Sequence, residues 1–348
     1  MRVRFLVILQ MAALMALSRA SYGQSKGYFA EPGSTLLFSG QSATDFLLVT
    51  PTGNVTVPGP PGSLPELSST LPVLAPAGDQ VASGFRFPVD FVFVPCSKPG
   101  CAQPRSAKYK SVMGVYSLHD KAWKLYGDFC SVGSAAFSPD GKKVAFKVET
   151  RSDSPTCTYS PGSHKLLILD LESGQFTPVP GTELVENNAQ LSWSPDGKYI
   201  AVEVLVARED SELHMPYYKG PFQIVSIEIG SWAQKIIADG NGPSWSPKGE
   251  WIAYQAPLER CMVIHPDGTG AKMVLDPDRQ RGVWSLYDAI VWSPDGESLL
   301  LNEEQSDTGH SNVTMLDLAT GKLTRKSKNS PAVFGWAPAG GPGPITKN

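Results

Sequence analysis

Hydrophobic and polar residues alternate in short segments along most of the chain, and one ten-residue pattern of them recurs. An aromatic residue is followed by Ser-Pro, a polar residue, Gly and then a run rich in aliphatic residues. The copies read FSPDGKKVAF at 137–146, WSPDGKYIAV at 193–202, WSPKGEWIAY at 245–254 and WSPDGESLLL at 292–301, and a shorter copy, WAPAGG, begins at Trp336. Their spacing is typical of a unit of three or four strands.

Each part of this pattern predicts a piece of a β-hairpin. The aromatic residue ends one strand, the Pro presets φ for a type I turn, and the Gly takes the left-handed conformation that closes the hairpin. A second hairpin follows each complete copy, in KLLILDLESGQF (165–176), FQIVSIEIGSWAQK (222–235), CMVIHPDGTGAK (261–272) and NVTMLDLATGK (312–322). We therefore expect repeated units of four antiparallel strands, A to D.

One such sheet cannot bury both of its faces alone, so repeated sheets must pack around an axis as a β-propeller. Before residue 132 the pattern is weaker. FAEPGSTLLF (29–38) with DFLLVTPTGNVTV (45–57) fits one blade, and Val89–Val94 with SVMGVYSLHDKAWKLY (111–126) fits another, after a Pro- and Gly-rich connection over Pro58–Asp79. The chain is thus predicted to be all-β, a six-bladed propeller of four-stranded antiparallel blades, with seven blades as the alternative.

The shortened copy at the C-terminus predicts how the ring closes. No strand pattern follows Val333–Pro338, so this segment has no strand B of its own. We expect it to supply the inner strand of the first blade by pairing near Ser34–Ser39. The alternative gives that position to Tyr28–Ala30.

The N-terminus has the order of charged, apolar and small residues that is typical of a secretory signal. Arg2 and Arg4 precede an apolar run from Phe5 to Leu17 that is too short for a membrane span. We expect residues 1–23 to be removed on export to the periplasm or the exterior, 24–338 to form a single propeller domain, and 339–348 to be a disordered tail.

Charge and composition exclude several classes of partner. Without the three Arg residues of segment 1–23, the chain has 27 basic against 33 acidic residues, a net charge of −6. Such a surface does not attract nucleic acid. No later segment is apolar and long enough to span a bilayer, so we expect no membrane span. We also expect a monomer without a cofactor.

Five Cys residues in an exported protein predict disulfides. Cys96 and Cys101 flank a short turn, and Cys130 and Cys157 bracket the first strong repeat, so we expect these two pairs. Cys261 starts a strand C and is expected to be a small buried residue rather than a nucleophile. A metal centre of His164, His214 and His310, which share one face of the ring, is geometrically possible. Because no ligand spacing supports it, we expect no metal.

The repeated pattern W-S-P-D-G-K-x-I-A at 193–201 and its copies resemble the TolB-like propeller repeat, which also occurs in propeller domains of prolyl-oligopeptidase-type proteins. This resemblance covers about residues 132–338 and implies the fold far more than an activity. A peptidase is disfavoured because the chain has no G-x-S-x-G nucleophile motif. Nor does the segment before the first strong repeat resemble the α/β domain that precedes the propeller in TolB.

Strand direction places the A/B and C/D turns on one face of the ring and the B/C loops on the other. The loops over Pro95–Lys110, 150–164, 207–221, 276–288 and 303–311 are long, and long loops on a rigid scaffold often carry function. Two of them combine aromatic and Arg side chains, which anchor protein interfaces well: Tyr217, Tyr218, Arg279, Arg281, Trp284 and Tyr287. An equal alternative is that these side chains only pack down their own loops.

Two functions remain open from the sequence. The resemblance favours a non-catalytic scaffold that binds an envelope protein or peptide through its long-loop face. The alternative is a propeller enzyme, a lyase or hydrolase acting on a sugar polymer or peptide, with a site on the same face. The absence of a local catalytic motif favours the scaffold.

Overall fold

The protein, seen in a computed structural model, is a ring of six antiparallel β-sheets. The structure describes residues 29–39, 45–63, 71–95, 102–149, 164–182, 190–205, 222–257, 260–276, 285–286, 290–304 and 311–338. These residues form strands and turns but no α-helix, and so contain no helix that could cross a membrane.

The described segments contain 25 strands, most of them four to eight residues long. In chain order they are β1 (Ser34–Ser39), β2 (Phe46–Thr50), β3 (Gly53–Val57), β4 (Val73–Leu74), β5 (Gln80–Pro95), β6 (Ala102–Ser117), β7 (Ala122–Phe129), β8 (Ser131–Phe137), β9 (Lys143–Glu149), β10 (His164–Asp170), β11 (Phe176–Val179), β12 (Leu191–Trp193), β13 (Tyr199–Leu205), β14 (Phe222–Glu228), β15 (Gln234–Asp239), β16 (Asn241–Trp245), β17 (Ile252–Ala256), β18 (Arg260–Ile264), β19 (Lys272–Leu275), β20 (Ser285–Leu286), β21 (Val291–Trp292), β22 (Ser298–Glu304), β23 (Ser311–Asp317), β24 (Leu323–Ser330) and β25 (Val333–Pro338).

Six blades of four strands account for this order, as the sequence predicts. With strands A to D written outward from the axis, blade 1 is β25-β1-β2-β3, blade 2 is β4 to β7, blade 3 is β8 to β11, blade 4 is β12 to β15, blade 5 is β16 to β19 and blade 6 is β21 to β24. The short β20 also pairs with β22 at the edge of blade 6. The six-bladed prediction is confirmed, and the seven-bladed alternative is wrong.

The hydrophobic core is divided into six clusters, each lying between two neighbouring blades. Trp193 of blade 4, for example, packs with Ala145 and Leu166 of blade 3. The aromatic residues that end the strong A strands, Phe137, Trp193, Trp245 and Trp292, are all buried. They pack between blades, as expected from the sequence, and each blade is stable only because its neighbours cover its faces.

The A/B turns show why the repeat contains Ser, Asp and Gly. The Ser138 hydroxyl donates to Asp140 Oδ1 at 2.6 Å, and the N–H of Lys142 donates to the same oxygen at 3.0 Å. Gly141 has φ +68°, a conformation that favours glycine. These bonds, the Ser138 hydroxyl first, lower the pKa of Asp140. The turn role predicted for the repeated Asp residues is confirmed.

The ring closes through the C-terminal strand β25, which pairs antiparallel with β1. Leu36 lies opposite Trp336, and Leu37 lies opposite Gly335. Closure by Val333–Pro338 is therefore confirmed, and β25 occupies the position that the alternative gave to Tyr28–Ala30. The ends of the chain are joined in one blade, which locks a fold that otherwise has only neighbour contacts.

Blade 2 differs from the sequence prediction in three ways. Strand β5 begins at Gln80, well before the predicted start at Val89. Residues 102–110 of the expected loop Pro95–Lys110 belong to strand β6, so a loop over that range is wrong. The expected connection Pro58–Asp79 contains strand A of the blade, β4.

A hidden copy of the repeat explains these differences. Residues 74–82 read LAPAGDQVA, and they keep the Pro and Gly of the pattern without its Ser and Asp. The Gly78 N–H donates to the Ala75 carbonyl at 2.8 Å, as the Gly197 N–H does to Ser194 in blade 4. The same turn therefore forms from Pro and Gly alone, because these two residues set its backbone conformation.

Candidate functional site: the axial channel

The inner strands of all six blades surround a cavity of about 450 Å³ on the axis of the ring. One position of strand A is small in every blade, the residue just before the aromatic residue or its equivalent. The set is Val73, Ala136, Ser192, Ser244, Val291 and Gly335. A Cβ added at Gly335 would come 2.6 Å from Leu74 Cβ of blade 2, and Ala136 and Val291 pack at core clusters between blades, so the blades approach one another closely at this position.

A ring of prolines lies where the channel meets the A/B turns, one residue from each blade. The six are Pro76, Pro139, Pro195, Pro247, Pro294 and Pro338. In blades 4, 5 and 6 the turn glycine lies close to the proline ring of the preceding blade. A Cβ added at Gly249, for instance, would come 3.1 Å from Pro195 Cγ. The rim of the channel is thus apolar and rigid.

The described residues of the channel wall include no charged side chain, and their polar side chains are serines, Gln190 and the indole N–H groups of tryptophans. The indole N–H of Trp292 donates to the Ser244 carbonyl at 2.8 Å, and that of Trp193 donates to the Ala136 carbonyl at 3.2 Å. In both pairs the indole of one blade therefore binds strand A of the preceding blade.

Trp245 and Trp336 depart from this pattern. The indole N–H of Trp245 donates to the Gly249 carbonyl in its own turn at 3.3 Å, whereas the Nε1 of Trp336 is buried and has no hydrogen-bond partner among the described residues. An unpaired buried N–H costs about 1–3 kcal/mol relative to a bonded one. The Ser246 hydroxyl is buried and unpaired in the same way, so the wall offers two unused donors without a charged side chain near them among the described lining residues.

The residues that the sequence singled out for binding lie outside the described segments: Tyr217, Tyr218, Arg279, Arg281, Trp284 and Tyr287. The structure does not bring them together or separate them, and their role stays a prediction. Sequence reasoning missed the channel residues because their pattern of small and aromatic positions is explained equally well by core packing.

Two of the five cysteines fall in the described residues. Cys130 is disulfide-bonded, and its partner lies outside these segments, so the pairs Cys130–Cys157 and Cys96–Cys101 stay predictions. Cys261 is free and fully buried, and burial raises its pKa to about 12. A thiol so protonated is a poor nucleophile, which confirms the interpretation of Cys261 as a packing residue.

The structure does not test the possible metal centre of three histidines. His214 and His310 lie outside the described segments, and His164 is the first residue of β10. The two others have local partners: His119 Nδ1 lies 3.0 Å from Asp120 Oδ1, and the His265 ring stacks on Trp251 with centroids 3.9 Å apart.

Comparison with known proteins adds the fold family. No family model and no curated protein matches the sequence. TolB from Acinetobacter baumannii superposes with a TM-score of 0.58 at 13% identity over 88% of this chain, which spans 66% of that protein. A protein assigned as TolB from Agrobacterium tumefaciens gives 0.54 at 16% identity, over 87% of this chain and 94% of the other.

A more distant match is oligogalacturonate lyase from Vibrio parahaemolyticus, with a TM-score of 0.41 at 10% identity over 70% of this chain and 73% of that one. At identities of 13% and 16%, the TM-scores of the two TolB structures show a shared fold. The two TolB structures have the same architecture over most of this chain. The protein is accordingly a TolB-like six-bladed β-propeller in fold.

Proposed function

We propose that this protein is an exported, non-catalytic propeller that binds a peptide segment of a cell-envelope protein in its axial channel. The observation that carries the proposal is the channel itself, a cavity whose described lining has no charged side chain and includes the unused indole N–H of Trp336. A volume of about 450 Å³ lies within the range of specific ligand sites. A peptide carbonyl is a suitable acceptor for that N–H, and apolar peptide side chains suit the Pro-rich rim.

The long-loop face has a second part in this proposal. Strand A runs between the D/A links and the A/B turns, so the channel leads from one face of the ring towards the other. Tyr217, Tyr218, Arg279, Arg281, Trp284 and Tyr287 belong to loops on the B/C side and would contact the body of the partner outside the channel. The signal-like segment 1–23 and the disulfide at Cys130 agree with export to an oxidising compartment.

The test blocks the channel without removing a core side chain. Ala136 is half-buried in the channel wall, and its interblade hydrogen bond uses only its backbone carbonyl. Ala136→Phe adds bulk to the channel wall, whereas Ala233→Phe makes the same exchange on an exposed C/D turn. Ala233→Phe should keep the melting temperature of the parent to within a few degrees, while Ala136→Phe adds volume beside the core cluster of blades 3 and 4 and should lower it. Capture is therefore compared at a temperature at which both variants are folded.

The measurement is cross-linked capture from the native envelope with the mature chain as bait. We expect one partner to be held by the parent and by Ala233→Phe and lost from Ala136→Phe. Replacing Tyr217, Tyr218, Arg281 and Trp284 together by Ala tests the loop face in the same experiment. Capture that survives in Ala136→Phe would refute a channel site. Capture that survives both in Ala136→Phe and in the variant with four Ala replacements would refute the binding proposal as stated.

The enzyme alternative is separated by a second measurement on the same variants. A lyase or hydrolase would release products from envelope polymers or peptides in the absence of a cross-linker. If product formation stays with the parent protein through purification, the enzyme alternative replaces the scaffold proposal.

A further inference from the structure

One copy of the repeat breaks the hydrogen-bond pattern of the A/B turns. In blades 3, 4 and 6 the turn Ser donates to the Asp two residues later at 2.5–2.6 Å. The same carboxylate accepts the N–H of the residue after Gly at 3.0 Å. Each of these turns therefore encloses one carboxylate that is held by a hydroxyl and a backbone N–H.

In blade 5 the carboxylate is missing, because Lys248 occupies the Asp position. The Ser246 hydroxyl is buried, at 2% exposure for the residue, and has no hydrogen-bond partner among the described residues. The N–H that corresponds to Lys198 in blade 4 belongs to Glu250. Blade 5 therefore keeps the two groups that donate to the carboxylate in the other turns, the Ser246 hydroxyl and the Glu250 N–H. The carboxylate itself is replaced by the exposed ammonium group of Lys248.

A cavity of about 420 Å³ adjoins this turn, between blades 5 and 6 on the face of the A/B turns. Ser246 lines both this cavity and the axial channel. The floor is apolar and includes Trp251, Val263 and Leu318. Trp251 is held in place by stacking on His265, whose Nδ1 lies 3.0 Å from the carbonyl oxygen of Glu250.

Charged side chains of both signs surround the cavity, and they are unevenly placed. Lys248 replaces the turn Asp, and its Nζ lies 3.4 Å from Glu297 Oε1 of blade 6. Lys272 lines the same cavity, while the acidic residues in the wall are Glu250, Glu297 and Asp317. A ligand of one sign would be repelled by part of this wall, so a ligand with a carboxylate and a nearby ammonium group fits it better.

We propose that the cavity between blades 5 and 6 binds an acidic side chain of a peptide, whose carboxylate takes the position that Asp140, Asp196 and Asp295 occupy in the other turns. The carboxylate accepts from the Ser246 hydroxyl and the Glu250 N–H and lies beside Lys248. A Lys or Arg neighbour of the acidic residue lies against Glu297 and Asp317. The aliphatic stem of the acidic residue covers the apolar floor.

This inference rests on the proposed function only for the class of ligand, since the site shares just one lining residue, Ser246, with the channel. Blocking the channel with Ala136→Phe should leave peptide binding at blade 5 intact. Failure of one proposal therefore leaves the other standing.

The first test compares a ligand that carries the carboxylate with one that lacks it. The probes are two blocked dipeptides, acetyl-Glu-Lys-amide and acetyl-Gln-Lys-amide, which are titrated into the labelled full chain and followed by nuclear magnetic resonance. We expect the Glu probe to shift the amide signals of Gly249 and Glu250 and the indole signal of Trp251. The Gln probe should need at least a tenfold higher concentration for the same shift.

Lys248→Asp should abolish the response, because its own carboxylate fills the position, as in blade 4. Ser246→Ala should weaken the response at least fivefold without lowering the melting temperature, because it removes a hydroxyl that has no partner. The matched control, Asp140→Lys, changes the turn of blade 3, which is two blades away, and should leave the response of Gly249, Glu250 and Trp251 as in the parent. Equal shifts from the two probes, or an unchanged response in both Lys248→Asp and Ser246→Ala, would overturn the proposal.

Discussion

Asn302 is the side chain through which blade 6 holds the closing strand. Its Nδ2 donates to the Val333 carbonyl at 2.8 Å, and its Oδ1 accepts the Val333 N–H at 2.8 Å. Both residues are buried, at 4% and 0% exposure. Because β25 has no covalent continuation into the blade that it completes, this pair of bonds should matter more than an ordinary surface contact.

The expected cost of Asn302→Ala follows from the two backbone groups left unpaired. Each buried group without a partner costs about 1–3 kcal/mol, so a loss of about 3 kcal/mol is a conservative sum that allows water to reach one of them. A domain of about 300 residues shifts by roughly 1.6 °C per kcal/mol. We therefore expect the melting temperature to fall by about 5 °C in a calorimetric scan.

Two further variants make this test specific. Asn54 is exposed on β3, so Asn54→Ala makes the same exchange and should change the melting temperature by less than 1 °C, as is usual for roughly neutral surface changes. Asn302→Asp keeps an acceptor for the Val333 N–H but, when ionised, faces the Val333 carbonyl.

The pKa of the carboxyl introduced by Asn302→Asp is expected to be raised in the folded state. Its stability contribution is therefore present at low pH and lost as the pH rises through that pKa. The free energy of unfolding of Asn302→Asp should therefore lie further below that of the parent at pH 7 than at pH 5. A difference that does not change with pH, or an Asn302→Ala variant as stable as Asn54→Ala, would refute the role of the two Asn302–Val333 hydrogen bonds in holding the closing strand.

Three other predictions concern the turns, the closing strand and the buried thiol. Deleting residues 331–348 should lower the melting temperature more than Asn302→Ala does, since all of β25 is lost; an unchanged value would contradict closure by this strand. Serine hydroxyl bonds lower the pKa values of Asp140, Asp196 and Asp295, so their contribution is present above pH 4 and lost as the pH falls further. A triple Asp→Asn variant should show a flatter acid unfolding curve than the parent. Cys261 should stay unlabelled by a thiol reagent in the native protein and react only on unfolding, because it is fully buried.

Much of the ring could be predicted from the sequence because its turns are local. Pro, Asp and Gly fix the A/B turn through neighbours within five residues, so each strong copy locates two strands and their order. The closing strand could be predicted for a related reason. The copy at Trp336 has the start of a hairpin without its second strand, and only the first blade lacks an inner strand.

Blade 2 was harder because its copy of the repeat kept only the residues that shape the backbone. Leu74 stands for the aromatic residue, and Ala75 and Ala77 stand for Ser and Asp. The signal was present, since LAPAG at 74–78 repeats all but the first residue of WAPAG at 336–340. The channel could not be found in this way, because which residues face the axis depends on how six blades close around it.

The two candidate sites share a physical feature that the repeat makes visible. A repeated unit normally satisfies its polar groups in the same manner in each copy, and departures from such consistency tend to lie at functional positions. Trp336 lacks the acceptor that Trp193 and Trp292 have, and Ser246 lacks the carboxylate that Ser138 and Ser194 have. Both unused donors lie in residues that line cavities, where a ligand can supply the missing acceptor. Restoring either bond internally would gain about 1–3 kcal/mol, so each departure has a cost in stability that the two proposals relate to binding.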